Sequence, residues 1–419
     1  MEPSMGTRPS LSPDESIWTD RQGLAVYTRL AFAGVSLKKH WDSLVADISD
    51  DARGAGLGMD LSAISQLMGD QPTGLAIQRD SLLYQRLYRS RTAGGKNKLR
   101  LLAIAAAMDI GGNTPVEFLL DGSDVELITL YVVPGLPLPG KIPDHDIAMV
   151  VAPDDARCRD AVGEMKDLLK NWPRPVLNLP QNILDLDRHK LCRKLSGIPG
   201  LEIPLTEVVS REWFSKLSQH PSILVERLSD GDFPLIVRPV GSHAGLGLRK
   251  LETADEIGVY LAERLEADFF ISRFVDYSSA DGLFRKYRIL LIDGRAYACH
   301  MAIADQWKIW YLNADMLGNP ANRGEEAAFM ALFDEEFASR HGPALGLLAD
   351  RLGLDYCTID CAETKSGELL IFEADNTAIV HDMDPVDTFP YKAPQMRKVF
   401  DAFVRMLYRR AGRRLASAA

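Results

Sequence analysis

Leu369-Leu370-Ile371-Phe372-Glu373-Ala374-Asp375-Asn376 is the stretch on which the fold turns. Four apolar residues run straight into two carboxylates and an amide, the pattern of a strand that delivers acids at its end. Upstream, Thr358-Ile359-Asp360-Cys361 places another acid inside an apolar run, and Glu363-Thr364-Lys365-Ser366-Gly367 between them reads as a turn. Two strands joined by a tight turn form a hairpin, so Asp360, Glu373 and Asp375 are expected at one end of a sheet. Glu373 and Asp375 are two apart and share a strand face. Carboxylates gathered in an apolar setting repel unless a cation sits among them. A few oxygen ligands suit Mg²⁺, which completes its shell with substrate phosphates. The alternative is a solvated hairpin end carrying unrelated acids.

Bulk composition bounds the rest. The chain has 419 residues, 46% hydrophobic and 25% charged, which suits a globular protein of about three domains. A net charge of −10 argues against a general nucleic-acid binder. Cys158, Cys192, Cys299, Cys357 and Cys361 lack metal-type spacing and read as reduced thiols. With no signal-peptide pattern and no apolar run long enough to span a bilayer, a cytoplasmic protein away from membranes is expected.

In chain order, residues 1–22 are rich in Pro and Ser and read as a mobile leader. Residues 23–91 show helical spacing, with two antiparallel helices broken at Gly69-Asp70-Gln71-Pro72. One such hairpin loosely resembles a tetratricopeptide unit, but a solenoid needs about three. A helical cap packed on the next domain is the competing reading, and either offers a surface for a protein partner. Arg91 to Asn97 reads as a linker. Residues 98–185 alternate strands and helices, which implies a small parallel sheet.

Beyond it come Asp187-Arg188-His189-Lys190-Leu191 on a short helix, a strand from Phe233 to Pro239 carrying Arg238, and the loop Gly241-Ser242-His243-Ala244-Gly245-Leu246-Gly247. Glycines there let backbone N–H groups approach phosphate oxygens. Strands are expected at Phe269 to Val275, Lys286 to Ile292, Tyr297 to Ile303 and Trp307 to Leu312, with a hairpin turn at Asp293-Gly294. Helices follow at Glu325 to Arg340, Pro343 to Leu352 and Lys392 to Arg410.

In this order the motifs resemble the ATP-grasp superfamily, closest to its carboxylate–amine ligase branch of ribosomal-protein glutamate ligases, glutathione synthetases and D-alanine–D-alanine ligases. The resemblance runs from about Lys98 to Arg410. It implies an α/β plus α+β architecture: a small parallel α/β domain, then, over residues 186–412, two α+β lobes with antiparallel sheets clamping ATP, all preceded by the helical N-terminal region. It also implies roles. Lys190 and Arg238 resemble the cations on the α- and β-phosphates, although the family usually has lysine where Arg238 stands. The loop with His243, Gly245 and Gly247 resembles the cover over the γ-phosphate. Ser272, Phe274 and Val275 resemble the adenine hinge, with Asp276 or Asp281 for the ribose. Arg288 resembles the group aimed at the transferred phosphate, a role Lys286 or Lys308 would share.

Asp360, Glu373, Asp375 and Asn376 resemble the ligands of Mg²⁺, with Mn²⁺ as a substitute. The implied activity joins a carboxylate to an amine through an acylphosphate, using ATP, on small-molecule or peptide substrates, with a homo-oligomer among the expectations. A nucleotide-binding module without catalysis and a phosphotransferase on the same scaffold are the alternatives. His300, Trp307, Trp310, Tyr311 and His381 are equally at home as pocket or packing residues.

Overall fold

The computed structural model describes residues 10–48, 52–90, 99–242, 245–310 and 313–415. Two compact units emerge. One holds the chain up to Leu184 together with Leu354–Cys357 and the segment from Asp375; the other holds Asp185–Gly353 and Thr358–Ala374.

The first unit is built on a six-stranded sheet of β2 (Thr19–Arg21), β3 (Leu87–Ser90), β4 (Arg100–Ala106), β5 (Glu126–Val132), β7 (Ile147–Val150) and β8 (Val176–Leu177), in the order β2-β3-β5-β4-β7-β8. Every neighbouring pair is parallel except β3–β5. The central strands β4, β5 and β7 are almost wholly buried, as expected where a sheet is covered on both faces. Helices α1 (Leu24–Phe32), α2 (Leu37–Asp47), α3 (Ala52–Leu67) and α4 (Gln71–Tyr84) precede the sheet's centre, and α5 (Val116–Leu119), α6 (Arg159–Leu168) and α7 (Pro180–Ile183) follow within it. The break between α3 and α4 falls where the glycine and proline predict, with Asp70 accepting from the Thr73 N–H at 3.2 Å. Helix α4 crosses α3 so closely that a Cβ on Gly74 would stand 2.8 Å from the Ser62 carbonyl.

A mobile leader is not what Leu11 to Arg21 form. β1 (Leu11–Ser12) pairs in parallel with β6 (Ile142–Pro143), and β2 joins the main sheet. Backbone bonds hold β1, with the Asp144 N–H donating to the Ser12 carbonyl at 2.9 Å, and on β2 Arg21 reaches Glu117 at 2.9 Å. The helices of the N-terminal region are flanked by β2 and β3 and lie in the same unit as the sheet. The expected linker at Arg91 to Asn97 lies outside the described residues.

The second unit opens with α8 (Arg188–Leu195) and β9 (Leu201–Glu202). β10 (Thr206–Ser210), β11 (Leu235–Pro239), β12 (Arg249–Leu251) and β13 (Asp268–Arg273) form an antiparallel sheet in the order β10-β13-β11-β12. Helices α9 (Arg211–Gln219) and α10 (Glu256–Ala262) cover one face of it, burying Phe214, Val237, Tyr260, Phe269 and Ile271 in one core. β14 (Phe284–Ile292), β15 (Arg295–Ala304), β16 (Tyr356–Glu363) and β17 (Leu369–Asp375) join β9 in a sheet ordered β15-β14-β16-β17-β9. The Asp293-Gly294 turn has φ of 55° and 78°, the left-handed pair that a two-residue hairpin needs.

Trp307 to Trp310 form no strand. Asn313 accepts from the Trp310 N–H and donates to the Lys308 carbonyl, both at 3.0 Å, so a side chain takes the backbone groups a ladder would use. Tyr311 and Leu312 lie outside the described residues. The two helices before the hairpin are α11 (Pro320–Ala331), capped by Asn319, and α12 (Phe337–Leu352), which runs through Pro343. The chain closes with α13 (Lys392–Arg410) in the first unit. Among the described residues no helix is long and apolar enough to cross a membrane.

Candidate functional site

Five elements of the second unit bring six charged side chains together. β14 alternates, so Lys286 and Arg288 share one face while Tyr287 turns to the aromatic cluster of Phe329 and Phe337. Both cations meet Asp360 on β16. Arg288 Nε donates to Asp360 Oδ1 at 2.6 Å and Nη2 to Oδ2 at 3.0 Å, while Lys286 Nζ lies 2.6 Å from Oδ2. The Asp360 side chain is only 2% exposed. Burial opposes its charge, but Arg288 and Lys286 overcome this and hold the carboxyl far below the usual range.

On β17, Glu373 accepts from Arg188 Nη2 at the start of α8. Burial again raises this carboxyl, and Arg188, with Lys286 and Arg238 behind it, brings it below its ordinary value. Arg238 stands on β11, with Nε donating to Ser242 Oγ at 3.2 Å. Desolvation, then repulsion from Arg188, pulls it down to about 10. Four cations thus face two carboxylates, and the cluster carries two net positive charges. Such an arrangement attracts a polyanion.

The remaining expected residues are distributed as follows. Lys190 is exposed on α8, and two residues along a helix is a rotation of about 200°, so it faces away from Arg188. Arg188 is the cation that sequence reading passed over. Its signal was Asp187, whose side chain accepts from the His189 N–H at 3.2 Å and so fixes Arg188 as the first helical residue. Lys308 donates to the Leu248 carbonyl at 3.2 Å and lies at the glycine loop, apart from Asp360 in the contacts it makes. In that loop Gly241, Gly245 and Gly247 have φ of 75°, 71° and 67°, while His243 lies outside the described residues. A Cβ on Gly247 would meet Pro239 at 2.6 Å.

Ser272 pairs with Ile236 and Thr206 inside the antiparallel sheet. The Phe274 N–H donates to the Pro234 carbonyl at 2.8 Å, and the Phe274 ring lies 4.2 Å from Lys250 Nζ. Val275 beside it is half-buried. Asp281 is gripped by Arg285 at 2.8 Å and Asp276 by Lys365 at 2.6 Å, so both ribose candidates already hold a cation.

Asp375 and Asn376 belong to the first unit. Asp375 Oδ1 accepts from Thr377 N at 2.7 Å, and the buried Asn376 amide donates to the Ala152 carbonyl at 2.9 Å. His381 is there too, edge-on to Phe32 with ring centroids 5.5 Å apart. Among the described residues no three His, Cys, Asp or Glu side chains gather as a metal cage. Asp360 and Glu373 nonetheless offer the hard oxygens that Mg²⁺ takes when phosphate and water supply the rest of its shell.

No protein-family model and no curated protein matches the sequence. Among solved structures, the chain is similar to the VanG D-Ala:D-Ser ligase of Enterococcus faecalis, with 12% identity and a TM-score of 0.44 over 74% of this chain and 100% of that one. It is similar to a RimK-domain ATP-grasp protein of Sphaerobacter thermophilus, with 15% identity and a TM-score of 0.41 over 74% of this chain and 99% of that one. The D-alanine–D-alanine ligase of Bacillus anthracis, complexed with ATP, gives 13% identity and a TM-score of 0.45 over 76% of this chain and 100% of that one.

Proposed function

We propose that the second unit binds the triphosphate of ATP and uses it to join a carboxylate, on a small molecule or peptide, to an amine. The supporting observation is the charge balance at Asp360 and Glu373: four cations to two acids in a partly desolvated setting, an excess of positive charge that a phosphate chain offsets. The sequence resemblance to carboxylate–amine ligases points the same way. In this reading Arg188 and Arg238 grip the phosphate chain with paired N–H donors. Arg288 and Lys286 face the phosphoryl group in transfer. The glycine loop from Gly241 to Gly247, with Lys308 at its base, excludes water, and the backbone at Phe274 and Val275 meets the base. Asp360 and Glu373 would hold Mg²⁺, which neutralises phosphate charge.

The chemistry needs no side-chain nucleophile. A substrate carboxylate oxygen attacks the γ-phosphorus and the bond to the β-phosphate oxygen breaks, releasing ADP. The amine nitrogen then attacks the acyl carbon; phosphate leaves with its bonding electrons and the nitrogen loses a proton. Arg288 and Lys286 act by stabilising charge as it moves between oxygens. One observation favours a non-catalytic nucleotide binder as the second reading: each acid is already held by a guanidinium.

Screening ADP release against amino acids, peptides and small carboxylates tests the proposal. Release that depends on both an acid and an amine is the expected outcome, lost in Glu373→Ala. Nucleotide binding without release would leave only the binder, and phosphorylated product without amine consumption would make it a phosphotransferase.

A further inference from the structure

We propose that Arg188 is a latch on Glu373, occupying the carboxylate a divalent cation needs, so that metal and nucleotide enter the second unit only together. The inference rests on the nucleotide reading of that unit. Arg188 Nη2 donates to Glu373 Oε2, and Lys286 and Arg238 act on the same carboxylate. Asp360 is held by two further cations. A bare divalent ion approaching these acids must displace a guanidinium and then stand among four positive side chains. A polyphosphate reverses both obstacles, since it brings compensating charge and gives Arg188 a new partner. Without that partner, leaving Glu373 would strand a guanidinium in a partly desolvated place.

Local structure tilts the exchange in the same direction. Arg188 is the first residue of α8, an eight-residue helix capped by Asp187. The positive end of a helix dipole disfavours a cation and favours an anion, so Arg188 gains from a phosphate twice, by contact and by relief of its position. Lys190, turned to the other side of α8, is not part of the exchange. Thermodynamic linkage then requires that nucleotide raise metal affinity by the factor that metal raises nucleotide affinity.

The test uses the full chain and Mn²⁺, followed by its paramagnetic resonance, and ADP, followed by calorimetry. Wild type should bind Mn²⁺ alone weakly, and Mn²⁺ should tighten ADP binding by about 100-fold. Arg188→Ala should bind Mn²⁺ alone about tenfold better and show coupling about tenfold smaller. Arg188→Lys, which keeps the charge but loses the paired donors, should bind Mn²⁺ alone as wild type does and hold ADP more weakly; Arg188→Gln supplies the same readout if the alanine variant does not fold. Equal Mn²⁺ affinity in wild type and in the charge-removing variants overturns the latch. If those variants gain Mn²⁺ affinity while ADP binds none of the proteins, Arg188 still blocks Glu373 against metal, and joint entry falls with the nucleotide reading. If ADP binds but its coupling to Mn²⁺ is unaltered by removing the charge, the latch alone falls.

Discussion

Two buried charge clusters in this chain are balanced in opposite ways. In the first unit Arg21 meets Glu117 at 2.9 Å, and the second Glu117 oxygen accepts from the Ala25 N–H at 2.8 Å. Nearby Asp60, only 2% exposed, accepts from the Gln22 and Gly23 N–H groups at 2.8 and 3.0 Å. Every one of these carboxylate oxygens has a donor, and each donor comes from the scaffold. In the second unit Asp360 and Glu373 face Arg188, Arg238, Lys286 and Arg288, with positive charge in excess. A cluster that closes on its own backbone holds a fold together. One that keeps an excess of one sign is completed by something from outside.

The contrast breaks most plainly at Asp360. Asp360→Ala removes the shared partner of Arg288 and Lys286 and should destabilise the chain by about 3 kcal/mol while abolishing turnover, checked by urea unfolding and ADP release. Saturating Mg–ATP should raise the melting temperature of wild type and fail to do so in this variant. Glu117→Ala should be comparably destabilising, about 3 kcal/mol, because Arg21 is left buried beside lost contacts to Ala25 and Ser90. Turnover per folded molecule should be unchanged. Loss of turnover there without loss of stability would erase the distinction between scaffold and site.

Acid sharpens the comparison further, because the two clusters carry opposite signs. Asp360 is depressed in the folded state, so its stabilisation is present above the unfolded value of about 4 and is lost as pH falls toward the folded one. Burial raises Asp60 despite its two N–H donors, so its ionisation weakens the fold as pH rises above about 4. Unfolding free energy measured against pH should therefore fall less steeply on the acid side in Asp360→Asn. Asp60→Asn should instead remove a loss on the neutral side. Identical slopes in both variants would refute the opposition.

The smallest effects belong to the glycine loop. Gly247→Ala forces a methyl group to within 2.6 Å of Pro239 at a φ of 67° and should lower stability by about 2 kcal/mol, weakening ATP binding with it. Gly241→Ala has open space and only the positive φ, so about 1 kcal/mol is expected. Equal losses at the two positions would show that close approach to Pro239 is unimportant.

Much of this architecture was legible from local pattern. The hairpin with Asp360 and Glu373, the Asp293-Gly294 turn and the helix Lys392–Arg410 stand where their residues place them. Those signals act over two to four residues, and backbone sterics answer them directly. Trp307 to Trp310 misled because an apolar run says nothing about Asn313, which captures their backbone groups. Arg188 was missed for a related reason: a cation's partner is not written beside it.

Alternation and turn chemistry alone determined that acids would sit on two neighbouring strands and that a glycine loop would follow Arg238. Only tertiary packing decided which cations meet them. Arg288 lies 72 residues from Asp360 and Arg188 lies 185 from Glu373. Contacts at such separations depend on how sheets and helices are stacked, and that is set by the shape of a whole core, whereas the pattern of a strand is set by its own few side chains.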